Sequence, residues 1–242
     1  MSVYGRLLAI FFPDRCAFCG EVIRPETGLC PACREQEKTL WVHPPLCPVC
    51  GREKARCGCG GRRRHFERCV TAYVYQGPVR GGILRLKKQQ KRNSARYFAA
   101  AMARRIREEY GSTYFSGIVP VPLSKKELKK RGYNQSRWLA EELSARMRVP
   151  VADILVKICE TRPQKELRAR ERSGNLLGVF DVKPDAAVEG HRFLLVDDVI
   201  TTGSTLDECA KMLKIYGAVQ VLAVTAAATR LQEPEEATKK RK

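Results

Sequence analysis

A chain of 242 residues, 44% of them hydrophobic, is long enough to bury one good core and a small satellite module. No run approaches the roughly 20 apolar residues of a membrane span, so the expectation is a cytoplasmic protein. Forty-five Lys and Arg against 26 Asp and Glu leave a formal net charge of +19, which suits polyanionic partners such as a diphosphate, RNA or single-stranded DNA.

The first apolar stretch, LLAIFF at 7–12, lacks a small-residue cleavage site and runs into Pro13, so it reads as a short helix packed on the protein rather than a signal segment. Eight of the eleven cysteines then fall between positions 16 and 59. Cys16 and Cys19, followed by Cys30 and Cys33, form two C-x-x-C pairs, and each such turn points two thiolates at one tetrahedral centre. Cys47 and Cys50 with Cys57 and Cys59 make a second set, whose C-G-C pair is tight enough that His65 is an alternative fourth ligand. Disulfides do not suit a chain without a signal peptide, and no βαβ pattern supports a redox role. The reading is Zn²⁺, one or two ions per chain. It is structural, because four thiolates leave no coordination position for substrate, and it supplies most of the module's folding free energy. Residues 1–68 are assigned to this double zinc-ribbon-like module, 69–231 to a main domain and 232–242 to a disordered charged tail.

After a basic linker at 60–68, VTAYVY at 70–75 alternates as a strand, and Gln76, Gly77 and Pro78 turn the chain into a helix. Val79, Ile83 and Leu86 mark its apolar face, whereas Arg80, Lys87 and Lys91, with Lys88 beside them, mark a basic one. Ten basic residues and no acidic one lie between positions 80 and 107, which is either a nucleic-acid-binding stripe or a solvated face. Ser94 is placed as the N-cap of a second helix reaching Tyr110. SGIVPVP gives a buried strand, and Ser124 with Glu127 forms a capping box whose first turn carries Lys125 and Lys126. Amide donors and two cations after a strand make an anion site of Leu123, Ser124, Lys125 and Lys126; solvated lysines are the plainer alternative. RGYNQS at 131–136 interrupts the helix, ADILVKI at 152–158 reads as a strand, and 160–175 is a highly charged loop. Cys69, Cys159 and Cys209 lie in apolar surroundings as core thiols.

FLLVDDVITTGSTL at 193–206 concentrates the chemistry. Four apolar residues make a buried parallel strand, and Leu206, Ala210 and Leu213 then follow at helical spacing, so the intervening loop lies at the carboxyl end of a sheet, where α/β folds bind ligands. Gly203 lets the backbone curl around an anion at the helix N-terminus, and Thr201, Thr202, Ser204 and Thr205 add hydroxyl donors. Asp197 and Asp198 only accept, so they need sugar hydroxyls or a divalent cation; the competing role is a helix cap. A pentose 5-phosphate satisfies both halves.

Residues 196–205, Val196, Asp197, Asp198 and Val199 followed by the threonine and glycine cluster, resemble the phosphoribosyl-diphosphate (PRPP) loop of type I phosphoribosyltransferases. With the cysteine pairs, VPVPLSKKELKKRGYNQS at 119–136 and the T-R-x-x-Q to G-x-F series at 161–180, the whole resembles the ComF family, associated with late competence in DNA uptake. That resemblance implies an α/β fold with a parallel five-stranded core sheet, a PRPP and Mg²⁺ site in which Asp197 and Asp198 hold the ribose hydroxyls, and a diphosphate contact at Leu123, Ser124, Lys125 and Lys126. It implies a lid at 160–175 that brings Arg162, Lys165, Arg168 and Arg172 over the diphosphate, Lys165 and Arg168 joining the two aspartates as catalytic groups. Two readings follow: a pentosyl transferase, or a non-catalytic adaptor binding single-stranded DNA and the competence machinery through its basic surface and zinc module.

Overall fold

The computed structural model describes residues 13–25, 27–88, 92–158 and 178–229. The 7–12 helix, Lys91, Cys159, the lid cations Arg162, Lys165, Arg168 and Arg172, and the 232–242 tail lie outside the described residues.

Four strands form one parallel sheet: β1 (Arg68–Val74), β2 (Gly117–Pro120), β5 (Arg192–Ile200) and β6 (Gln220–Ala228), in the order β1-β6-β5-β2. Among the described residues the expected fifth lane is a single parallel bridge between Ile118 and Val151. The strands β3 (Leu155–Lys157) and β4 (Phe180–Val182) pair with each other instead, as an antiparallel hairpin. Its two strands flank the 159–177 segment.

Both faces of the sheet are covered, which is why β1 is buried along its length instead of alternating as its sequence suggests. Leu194 and Val196 of β5 pack with α2 (Gly77–Lys88), α3 (Arg92–Tyr110) and α5 (Gln135–Met147) on one side. Phe193 and Leu195 pack with α6 (Ser204–Ile215) and the β3–β4 hairpin on the other. The short α4 (Lys125–Arg131) opens on the expected capping box and ends at Gly132. Helix α3 starts two residues before Ser94, whose buried hydroxyl donates to the Ala17 carbonyl at 2.8 Å, so Ser94 ties the helix to the cysteine module and is not its cap. Cys69 and Cys209 are buried, as their surroundings predict.

The cysteine module, with its helix α1 (Pro31–Leu40), wraps the β1 edge. Val42 donates to Ala72 O at 3.0 Å and Cys69 donates to Val49 O at 3.2 Å, so backbone groups that an edge strand leaves open are used. Cys16, Phe18, Cys30 and Cys33 join the core of one sheet face, while Cys47, Cys50 and Phe66 join the core of the other.

Candidate functional site

The two cysteine sets are each brought to a point. Within each set the four sulfurs lie within 4.8 Å of one another. Tetrahedral Zn²⁺ with sulfur at about 2.3 Å requires sulfur–sulfur edges near ~3.8 Å. The edges are 3.7 Å for Cys19–Cys30 in the first set, and 3.6 Å for Cys47–Cys59, 3.3 Å for Cys50–Cys57 and 3.1 Å for Cys57–Cys59 in the second, so the residue types and their convergence fit the ion, the second set being drawn tighter than the tetrahedron by its C-G-C pair. His65 is not a ligand: its ring Nδ1 lies 3.1 Å from Asp207 Oδ1. Burial raises the Cys16 and Cys47 thiols, but backbone N–H donors outweigh it and leave each at about 7. Burial and neighbouring sulfurs hold Cys33 and Cys57 up. Zinc binds thiolates, so an incoming dication displaces the protons that the cysteines still hold.

The second site is a cavity of about 390 Å³ at the carboxyl end of the sheet. Strand β2 ends opposite Val196, and the Val121 amide donates to Val196 O at 3.0 Å. Beyond that point β5 stays paired with β6 but has no β2 partner, so Asp197 and Asp198 line the cavity on that side, together with Val199, Ser204, Thr205 and Leu123. Asp197 Oδ1 accepts from Ser136 Oγ at 2.9 Å and from the Asp198 amide at 2.8 Å. Asp198, only 3% exposed, places Oδ2 2.7 Å from Lys87 Nζ. The helix cap of α6 is Gly203, in the left-handed region at φ 82°, and no side chain caps it; that removes the capping alternative for the aspartates.

Burial, then the adjacent Asp198 charge, pushes the Asp197 carboxyl up to about 7. The unfolded chain releases that proton near pH ~4, so between these values the folded state holds more protons. The resulting destabilisation is absent below the lower value, grows as pH rises and is complete above about 7. Asp197→Asn removes it, so the melting temperature of the variant minus that of wild type is expected to grow from about pH 5.5 to about pH 8. A constant difference across that range contradicts the assignment.

Several expected members lie elsewhere. Lys87 leaves the basic stripe and enters the cavity, because its Cα lies one helical turn beyond buried Ile83 on the face that meets the sheet end. Arg105, counted among the same ten basic residues, is 1% exposed, with its guanidinium 4.4 Å from the Trp41 ring centroid. Arg80 and Lys88 remain exposed. Of the anion site at 123–126, only Leu123 lines the cavity: the Ser124 amide and hydroxyl donate to Glu127 at 3.2 and 3.0 Å, and Lys125 and Lys126 are exposed. Thr201 and Thr202 are exposed outside the cavity; Thr202 Oγ1 sits 2.9 Å from Ser204 Oγ, shaping the loop from behind. Among the described residues, the cations that line the cavity are Lys87, Arg131 and Lys157, and Gln135 joins them, accepting from Arg131 at 3.0 Å. The R-G-Y-N-Q-S segment was the available signal for Arg131, Gln135 and Ser136; nothing local marks Lys157.

The parallel sheet covered by helices on both faces, with paired acids and a glycine-capped helix at its carboxyl end, is a phosphoribosyltransferase-like fold, here joined to an N-terminal cysteine module. The phosphoribosyl transferase domain family matches residues 134–242 and the double zinc ribbon domain family matches residues 7–70. Competence protein F of Haemophilus influenzae is 34% identical over 87% of this chain and 95% of its own length. DNA utilization protein YhgH of Escherichia coli is 30% identical over 80% of this chain and 87% of its own, and competence protein ComFC of Bacillus subtilis is 28% identical over 79% and 80%. The chain belongs to the ComF family. Its cysteine clusters are structural zinc sites, and no helix among the described residues is long and apolar enough to cross a membrane.

Proposed function

We propose that this protein binds PRPP with Mg²⁺ at the 196–205 loop and works in the uptake or use of DNA, the activity that its relatives' names carry. The observation that carries the ligand is the juxtaposition, in one cavity, of the paired carboxyl groups Asp197 and Asp198, the hydroxyls of Ser204 and Thr205, and the cations Lys87, Arg131 and Lys157; Glu127, 3.5 Å from Lys157 and 4.0 Å from Arg131, and Glu208 line it too. A sugar bearing hydroxyls on one side and phosphates on both ends matches that distribution of donors and acceptors.

Asp197 and Asp198 accept the ribose hydroxyls. The amides and hydroxyls at the start of α6 receive the 5-phosphate. Lys87, now paired with Asp198, exchanges that partner for the diphosphate when ribose hydroxyls take its place on the carboxylate. Lys165 and Arg168, outside the described residues, are proposed as further cations for the same group. The hard oxygen donors here fit Mg²⁺, which supplies charge neutralisation of the diphosphate when bound. In pentosyl transfer, the bond from ribose C1 to the diphosphate oxygen breaks with its electron pair leaving on oxygen, C1 gains oxocarbenium character, and a nitrogen acceptor forms the new bond and releases its proton. The protein's part is orientation and electrostatic stabilisation of the departing charge. Calorimetry with PRPP and Mg²⁺, followed by a screen for diphosphate release across nitrogenous bases, tests the reading. Absence of binding heat and of thermal stabilisation at millimolar PRPP sinks it.

Contact with single-stranded DNA is the adaptor reading, and it rests on the exposed cations Arg80 and Lys88. Such contact is sequence-independent, so replacing both with Gln should flatten the slope of log affinity against log salt by about 0.7 per lost phosphate contact. An unchanged slope makes this helix face merely solvated.

A further inference from the structure

We propose that the second zinc ribbon supports the 201–205 loop, with Arg52 as its positioning residue, so that metal on Cys47, Cys50, Cys57 and Cys59 and a phosphorylated ligand at the loop favour each other. The ligand half of this coupling rests on the PRPP reading above.

Arg52 stands two residues after Cys50 and is 4% exposed. Its Nε donates to Thr229 O at 2.7 Å, and its Nη2 donates to Ile200 O at 3.0 Å and to Thr201 O. These carbonyls lie where β5 gives way to the loop and just past the end of β6. Ile200 O also accepts from the Thr229 amide at 3.1 Å, so Arg52 adds a second donor there, and its planar guanidinium fork ties three carbonyls together where a lysine serves them less well.

The position of Arg52 is itself set by the metal knuckle. Cys47 N donates to Arg52 O at 2.7 Å, and Gly51 N donates to Cys47 O at 3.0 Å. Gly51, at φ 70°, packs so closely on β1 that a Cβ there would stand 2.7 Å from Cys69 O. A second brace follows directly on the ribbon: Arg64 donates to Thr202 O at 2.8 Å and to Asp207 Oδ2 at 3.2 Å, and the His65 amide donates to Asp207 Oδ1 at 2.7 Å. Both ends of the loop are thus held from the ribbon side by residues that do not line the cavity. The first ribbon packs instead on the opposite face of the sheet, against α2 and α3. The two metal sites therefore have different duties, although their ligand chemistry is the same.

Coupling between two binding sites is reciprocal. The test uses the full zinc-loaded chain as wild type, Arg52→Lys and Arg52→Met, with zinc counted in each. With two zinc ions retained, Arg52→Met is expected to speed hydrogen exchange of the 201–206 amides about tenfold and to weaken PRPP binding about tenfold, Arg52→Lys falling between. In wild type, saturating PRPP with Mg²⁺ should tighten one of the two zinc ions against a competing chelator and leave the other unmoved. If Arg52→Met fails to fold, Arg52→Lys and the wild-type zinc competition carry the comparison. Unchanged loop exchange in zinc-loaded variants overturns the proposal, and so does PRPP binding that leaves both zinc affinities alone. Wild type that ignores PRPP while its loop still depends on Arg52 defeats only the ligand reading and keeps the support.

Discussion

The double variant Asp197→Asn with Asp198→Asn should lose PRPP affinity by about a hundredfold or more while its melting temperature holds or rises. Each carboxylate is proposed to accept a sugar hydroxyl in a charge-assisted bond, and weakening such a bond costs about 1.5 to 3 kcal/mol. Two together exceed the ~1.4 kcal/mol that each tenfold change requires by enough to give that loss. Stability is expected to hold or rise because the amides preserve shape and remove the burial cost and, after it, the Asp198 repulsion that drive the Asp197 carboxyl up. Lys87 loses its partner but is partly exposed and turns to water. DNA affinity should hold or rise slightly, since two negative charges disappear. Titration of PRPP and thermal melting on the same variant decide it: unchanged PRPP affinity removes the aspartates from the ligand, and a collapsed melting temperature makes them structural.

Removal of zinc should have the larger effect on the fold. Each four-thiolate site contributes on the order of 10 kcal/mol to folding, comparable to the ~5 to 15 kcal/mol that stabilise a whole domain. The loss does not stay local. Cys16, Cys30 and Cys33 are buried in one cluster with Ile83, Phe98 and Met102, and Phe18 of the first knuckle meets the Tyr73 and Phe98 rings at 5.8 and 5.5 Å. Collapse of that knuckle opens a cavity beneath α2 and α3. Elemental analysis of the reduced, folded protein should find two zinc ions per chain, and a strong chelator should abolish the cooperative melt of the entire chain. One zinc ion confines metal to the Cys16 set; a cooperative melt at the same temperature without metal denies zinc its structural role.

Much of the site was legible because its determinants are local. An apolar strand, two acids and a glycine-capped helix sit within fourteen consecutive residues at 193–206, and each cysteine set spans few enough residues for its spacing to announce the metal. The capping box at Ser124 and Glu127 is local too. What escaped was brought from afar. Lys87 reaches Asp198 across 111 positions, which follows from the strand order and not from the helix pattern that placed it with Arg80. Charge alone also misled at Arg105, where Trp41 supplies the burial from another part of the chain. Lysines at 125 and 126 advertise an anion site, yet the capping carboxylate has already taken the Ser124 amide, and the cavity draws its cations from Arg131 and Lys157 instead. The fifth strand failed for a related reason: residues 155–157 find a better partner in 180–182, leaving Val151 only a bridge to β2.

The central claim is that the 196–205 loop is a phosphoribosyl site. Its most direct test is diffraction from crystals of the zinc-loaded protein saturated with PRPP and Mg²⁺. The account predicts density for the 5-phosphate against the amides and hydroxyls of Gly203, Ser204 and Thr205, with the ribose hydroxyls on Asp197 and Asp198 and Lys87 turned from Asp198 to the diphosphate. Ligand density at any other place, or a clear cavity with the Lys87–Asp198 pair intact at saturating PRPP, contradicts it.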